Sequence, residues 1–408
     1  MSTHVAIIGA GLSGLALALS LHQQSIPCTL YEARSAPLNI GGAIMLSPNA
    51  LRILDTLGVY SRIRSEAYDF DHLYFRSPAN TPLDTYEFGG ADKYGYSGMR
   101  IYRHVLIREL SAMVTEAGIP IHYHKKFNRV ISETSSNITW EFTDGTVSTA
   151  SCLVGADGIH SAVRKYLYPD LEPKFMNAMA VTAAVPTAQL ANPPPEEGGY
   201  DLPVTIMNKT HGAFVIAPQL RDGSEVLIGR QKRSAQLDRD GWSKLMNDKA
   251  WCVEFLREGV SDFPEIVQRA VSEISTEKIN LWPFYMVPKL EQWSSAEHSR
   301  VVILGDAAHA IPPSAGQGIN QAFEDVFTYA LILARCEKED LGRALKIWQR
   351  GRQERVDKVL ALNAQIDKRR MPKPAGEKDE VEDEQPFELG WLYKPDFGAM
   401  VDEWLARE

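Results

Sequence analysis

Between Val5 and Arg34 the chain reads VAIIGAGLSGLALALSLHQQSIPCTLYEAR, and few folds accommodate such a stretch. A four-residue apolar run, Val5 to Ile8, leads straight into Gly9-x-Gly11-x-x-Gly14, and an Ala/Leu-rich helical run follows at once. A second apolar strand, Cys28 to Tyr31, then ends on the acid Glu32. Glycines so placed permit a tight turn and close approach of backbone to a pyrophosphate, and a carboxylate about 20 residues on binds a ribose hydroxyl pair. The stretch therefore predicts a Rossmann-type dinucleotide-binding unit, with Gly9, Gly11, Ser13, Gly14 and Glu32 as its binding candidates.

Residues 301–334 repeat the order of strand, acid, rigid loop and helix. Val301 to Leu304 reads as a buried strand that breaks at Gly305-Asp306, and the chain then passes Pro312-Pro313 and the Gly316-Gln317-Gly318 turn. From Ile319 onward Ala322, Phe323, Val326, Phe327, Ala330, Leu331 and Ala334 recur at three- and four-residue spacing, so this helix buries one face. Its N-terminus leaves the glycine turn with unpaired N–H groups and the positive end of the dipole, a seat for an anion or an electron-rich ring. Asp306 is placed to accept hydrogen bonds from ligand hydroxyls. In a third stretch, LVGADGIHSAVR at 153–164, an apolar lead-in meets Gly155, Asp157 and Gly158, with an N-capping Ser161 and a basic Arg164 behind them.

Taken in order, GxGxxG, GADGxxSxVR and GDAAHxxxPxxGQGxNxxxED resemble the single-component (group A) FAD-dependent aromatic hydroxylases, which include salicylate hydroxylase-like and tetracycline-inactivating monooxygenases. The resemblance runs from residue 5 to about 365. It implies that Glu32 holds the adenosine ribose, that Asp157 serves the FAD pyrophosphate and the passage of the nicotinamide donor, and that Asp306 binds the ribityl chain. Pro313 and the backbone of Gly316, Gly318 and Ile319 would line the flavin ring. The segment from Gly41 through Ala43 to Asn49 resembles one that passes the flavin, so the Ala43 to Met45 backbone is either a cofactor contact or a plain loop. Arg103 opens a helix over 101–117, where a cation opposes the dipole unless an anion compensates it; the resemblance makes it an FAD contact. His309 invites an acid–base role because histidine titrates near neutrality, whereas the resemblance makes it a support of its loop.

Composition agrees with this reading. At 408 residues the chain is long enough for two domains, and 44% hydrophobic with 23% charged residues is that of a globular protein. A net charge of −9 disfavours nucleic acid or an anionic membrane as partner. No apolar run approaches the roughly 20 residues of a membrane span and the N-terminus enters a strand directly, which predicts a cytoplasmic enzyme. Cys28, Cys152, Cys252 and Cys336 are far apart, so neither a metal site nor the cysteine pair of a disulfide reductase is expected.

The expected fold class is α/β: a Rossmann-type FAD-binding domain with an interleaved β-sheet substrate domain and C-terminal helices. Residues 1–70, 101–170 and 290–340 are assigned to the first, 71–100 and 171–289 to the second, and 341–408 to a C-terminal helix, an acidic linker at 377–384 and an aromatic tail that docks back. Strand-like runs at 119–123, 128–133, 138–142 and 147–154 predict a meander returning to the LVGADG strand. Substrate contacts are less legible. Strand alternation offers Phe214 with Ile216, or Phe284 with Met286, as one cavity wall, with Tyr285 facing away or marking the pocket edge. Arg230 reads either as a pocket arginine for a carboxylate or phenolate or as half of a surface ion pair. His104 reads as a surface residue.

The activity implied is transfer of one oxygen atom from O2, through a flavin C4a-hydroperoxide, to a small electron-rich aromatic or indole-type molecule, by hydroxylation or epoxidation. NADPH or NADH would bind transiently, since no second GxGxxG exists, and the protein would be a monomer or homodimer. Two rival readings remain, of which the halogenase shares the front half. A flavin-dependent halogenase needs a WxWxIP stretch and a lysine near the flavin, neither of which is evident, and a catalytically silent FAD-binding protein would act through partners.

Overall fold

In the computed structural model, residues 4–37, 42–336, 341–370 and 386–407 are described. The Val5–Ile8 strand lies at the centre of a five-stranded sheet ordered Val301–Ile303, Cys152–Gly155, Val5–Ile8, Cys28–Tyr31 and Ile121–His122. All four pairings are parallel. Strands covered on both faces read as continuous apolar runs, and the three central ones are buried along nearly their whole length. Register fixes the function of this sheet: Ile8 pairs with Gly155 and with Tyr31, and Gly155 pairs with Ile303. The three glycine–acid motifs and Glu32 therefore leave the sheet side by side at its carboxyl edge, where open α/β sheets bind their ligands.

A seven-stranded sheet is ordered Asn280–Met286, Lys174–Pro186, Glu225–Arg233, Gly212–Pro218, Val204–Asn208, His72–Arg76 and Pro82–Glu87, antiparallel except between the Val204–Asn208 and His72–Arg76 strands. One face of it carries Val181, Ala183, Ile206, Phe214, Ile216 and Ile228, packed with Phe255, Leu256, Ile266 and Val267 of the helices over residues 249–270. A small antiparallel sheet, Ala43–Leu46, Gly98–Tyr102 and Tyr68–Phe70, stands beside it. The run at 147–154 divides at Ser151: Val147–Ala150 closes a meander with Ile138–Phe142 and Phe127–Glu133, and Cys152–Gly155 enters the parallel sheet. The aromatic stretch at 70–100 likewise splits between two sheets, because its strands pair with different partners.

The helix Gly318–Arg335 is sandwiched between Leu12–Gln23 and the long helix Leu341–Arg370. Beyond it Leu392, Tyr393, Phe397 and Trp404 are buried, so the tail docks on the body; Trp391 is half-buried. The acidic run at 377–384 and Gly41 lie outside the described residues.

Candidate functional site

A cavity of about 910 Å³ opens at the carboxyl edge of the parallel sheet. Its walls bring together Gly9, Gly11, Ser13 and Glu32 from the first motif, Asp157 from the second, and Asp306, Pro313, Gly316, Gly318 and Ile319 from the third. Ala43 closes it from the small sheet, Arg103 from the start of the helix Arg103–Glu116 that follows that sheet, and Tyr285 from the edge of the large sheet. Gly14 is absent from the lining. A side chain there would meet the Gly9 carbonyl oxygen at 1.9 Å, so its part is the seating of helix against strand. Gly11 and Gly318 differ from it: a Cβ at either would touch no protein atom and would project from the cavity wall. Such a cradle suits a ligand that lies against backbone, as a pyrophosphate and a flat ring do.

The charged groups are held with care. Glu32 is 5% exposed, and its carboxylate accepts from the Ala10 and Arg34 backbone N–H groups, both at 2.9 Å. The Asp157 carboxylate accepts from the Ser161 hydroxyl at 2.5 Å and from the Ala162 and Val163 N–H groups at 2.7 and 3.2 Å. Burial pushes its pKa up and those hydrogen bonds oppose the rise. Arg164 is 1% exposed and donates to the carbonyls of Ala307 at 3.0 Å and Ile159 at 2.6 Å, which ties the second motif to the third.

The Asp306 side chain is exposed to the cavity, and desolvation by the protein packed around that cavity raises its carboxyl pKa against the opposing pull of His309 and Arg103. Burial lowers the pKa of Arg103 in turn, with Asp306 opposing, and its buried Nε has no partner among the described residues. A carboxylate that lacks donors beside a guanidinium that lacks an acceptor is a site built for hydroxyls and an anion together. Sequence reasoning passed over a second arginine in the lining, Arg100.

Beneath the third motif lies a buried polar network. Asp325 accepts from the Gly305 N–H at 2.8 Å, from His309 Nε2 at 2.5 Å and from Arg352 Nε at 2.8 Å. Glu324 accepts from Arg352, from Arg355 at 2.6 and 2.7 Å and from Asn49 at 2.7 Å. Burial by itself would raise both carboxyls, but Arg355 and Arg352 around Glu324, and His309 and Arg352 around Asp325, hold them below the usual range. The Glu-Asp pair that ends the motif thus clamps the Gly305 turn to the Leu341–Arg370 helix, and His309 is one jaw of that clamp.

Three substrate-pocket candidates lie elsewhere. Phe214 is fully buried on the helix-covered face, its ring 5.9 Å from Phe263. Arg230 is also fully buried and is neither a pocket arginine nor a surface ion pair: it donates to the carbonyls of His211, Phe255 and Glu258. Phe284 is half-buried outside the cavity lining, whereas its neighbour Tyr285 lines it. His104 is half-buried and lines a second cavity of about 1000 Å³, with Tyr102, Gln219 and Glu225.

Residues 2–362 match the family described as FAD binding domain. The chain is 30% identical over 368 residues to 3-amino-4-hydroxybenzoate 2-monooxygenase of Streptomyces platensis, covering 88% of this chain and 87% of the relative. It is 26% identical to 6-hydroxynicotinate 3-monooxygenase of Bordetella bronchiseptica over 88% of this chain and 90% of that one. The fold is that of a salicylate hydroxylase solved as a substrate complex, with a TM-score of 0.80 at 21% identity, covering 99% of this chain and 98% of that chain.

Proposed function

The chain belongs to the FAD binding domain family and is a FAD-dependent monooxygenase, and from that premise we propose that it hydroxylates a small electron-rich aromatic molecule at the cavity described above. The observation that carries the proposal is the convergence of Glu32, Arg103, Asp157 and Asp306 on one cavity whose glycine walls leave room for a dinucleotide. The residues fit FAD. Glu32 would hold the adenosine ribose, the Gly9–Gly11 turn and Arg103 the pyrophosphate, Asp306 the ribityl hydroxyls, and Pro313 with Gly316, Gly318 and Ile319 the ring.

The chemistry supplied by bound FAD is acceptance of hydride from NADPH or NADH and transfer of one oxygen atom of O2 to an electron-rich ring. The second oxygen atom leaves as water. Side chains of this chain bind, orient and exclude solvent. The N-terminus of Gly318–Arg335 carries no side-chain cap, so its free N–H groups would be available to stabilise an anionic group bound at the cavity. The clamp of Glu324 and Asp325 on Arg352 fixes that helix end and the Gly305 turn, which holds the donors in place before reaction.

We assign the binding of FAD to residues 1–70, 101–170 and 290–340, and that of the substrate to 71–100 and 171–289; the seven-stranded sheet, drawn from the second set, supports the division. Among the described residues no helix is long and apolar enough to cross a membrane, and we place the enzyme in the cytoplasm, as a monomer or homodimer. The test is the visible spectrum of the purified protein, followed by NADPH and NADH oxidation in air with a panel of phenols, aromatic acids and indoles. A yellow protein whose nicotinamide oxidation accelerates with one ring class, forming hydroxylated product, is expected. A protein that cannot be loaded with FAD, or whose bound flavin is never reduced, refutes the proposal.

A further inference from the structure

The strand Gly98–Tyr102 runs between Ala43–Leu46 and Tyr68–Phe70, and its register sets Arg100 directly beside Met45 on one side and Tyr68 on the other. Tyr102, two residues on and so on the same face, shows where that face looks. Its hydroxyl donates to the Glu225 carboxylate and accepts from Gln219 Nε2 at 2.9 Å, and both partners flank the turn between Gly212–Pro218 and Glu225–Arg233. Along this face Tyr102 lines the second cavity, whereas Arg100 lines the one at the carboxyl edge of the parallel sheet. Arg100 is 5% exposed, and its guanidinium has no hydrogen bond or ion pair to any described residue. Burial pushes its pKa down to about 10, the mark of a cation removed from water without a counter-ion.

Arg103 lies only three residues away, yet its position is different. Arg103 has Asp306 as an opposing charge, whereas among the described residues Arg100 has beside it only the Tyr102 phenol, which is neutral near pH 7. An unpaired buried guanidinium is among the most costly groups a fold can hold, and a methionine would fill the same place without that penalty. The surroundings say what would complete it. Met45 and Ile311 are half-buried apolar residues that line the same cavity, a contact surface for a flat ring with one planar fork of N–H donors beside it. Such a fork matches a carboxylate through two parallel hydrogen bonds.

We propose that Arg100 is the specificity-determining residue of this enzyme: it binds a carboxylate carried by the ring substrate and seats the ring against Met45 and Ile311 of the cavity it lines. This rests on the monooxygenase reading above. The FAD-loaded protein is titrated with benzoate and the three monohydroxybenzoates, each against its neutral carboxamide, and the flavin absorbance change is followed. At least one acid should bind roughly 10- to 100-fold more tightly than its amide, the range of a charge-assisted hydrogen-bonded pair. Arg100→Gln should retain FAD and its reduction by NAD(P)H but lose the preference for the acid, and Arg100→Lys should recover part of it.

A second reading needs no ligand: in the apoprotein Arg100→Met should raise Tm, because it removes an uncompensated buried charge. The proposal is overturned if no acid binds more tightly than its amide, if Arg100→Gln keeps the preference, if Arg100→Gln loses FAD, or if Arg100→Met lowers the apoprotein Tm. A wild-type protein without FAD or without nicotinamide oxidation sinks the monooxygenase reading itself. One that is yellow and turns over, but is indifferent to charge on the ring, sinks only the role of Arg100.

Discussion

Asp306 illustrates how a single residue is kept ready for a ligand at the expense of the empty fold. Its pKa is raised by its surroundings, so the folded apoprotein holds that proton more firmly than the unfolded chain does. The resulting contribution to stability is present below the ordinary carboxylate range, near pH 4, and is lost as pH rises through the folded value. Asp306→Asn should therefore give an apoprotein with a higher Tm than wild type at pH 8, the gap closing toward pH 4, and calorimetry across pH reads it directly. The same substitution should weaken FAD binding by about 10-fold or more, since hydrogen bonds to a charged acceptor contribute about 1.5–3 kcal/mol; a flavin fluorescence titration measures that. Asp306, Glu32 and Arg103 were legible in the sequence because each stands at a fixed offset from a glycine turn or helix start. Arg100 was not. Its meaning depends on which cavity its strand comes to line, and no local spacing encodes that. Phe214 and Arg230 failed for a related reason: alternation separates the two faces of a strand but does not say which one meets the cavity.

At the scale of elements, the decisive contact is between Gly318–Arg335 and Leu341–Arg370, through Glu324, Asp325, Arg352 and Arg355. Each member has partners, so the network is satisfied, and removal of one leaves charge stranded in the core. Arg352→Met should destabilise the protein by about 3–5 kcal/mol, seen as a lower denaturation midpoint, because two buried carboxylates lose their shared cation. The pH dependence has the opposite sign to that of Asp306. Glu324 and Asp325 are held below the usual carboxylate range, so their contribution is full above about pH 4 and is lost as pH falls through the lower folded values. Wild type should lose stability steeply in that acid window, and Arg352→Met should show a shallower slope. The helix itself was plain from its apolar periodicity. The network was hidden because two acids on a helix read as a solvated face until the helix that covers them is placed, and the break at Ser151 stayed hidden because one apolar run can serve two sheets.

Across the whole molecule, three segments far apart in sequence share one edge of the parallel sheet, and the tail returns from residue 386 to close the far side. Gly351 and Trp404 provide a test of that return. Replacing a helical glycine with alanine ordinarily gains about 1 kcal/mol, but at Gly351 the new Cβ would come within 2.2 Å of the Trp404 ring. Overpacking of this kind costs about 1–3 kcal/mol, so Gly351→Ala should lower Tm, and pairing it with Trp404→Ala should remove the clash. The α/β class and the order of the motifs were readable from the chain alone because parallel strands and glycine turns leave strong local signatures. How the sheets face each other was not, since it is set by long-range packing. The measurement that bears most directly on the whole is a reaction run under 18O2 with NADPH or NADH and the ring that most accelerates their oxidation. One labelled oxygen in the hydroxylated product, with the other in water, is expected. Label found only in hydrogen peroxide for every ring tested, or product oxygen drawn from water, would contradict monooxygenation at this cavity.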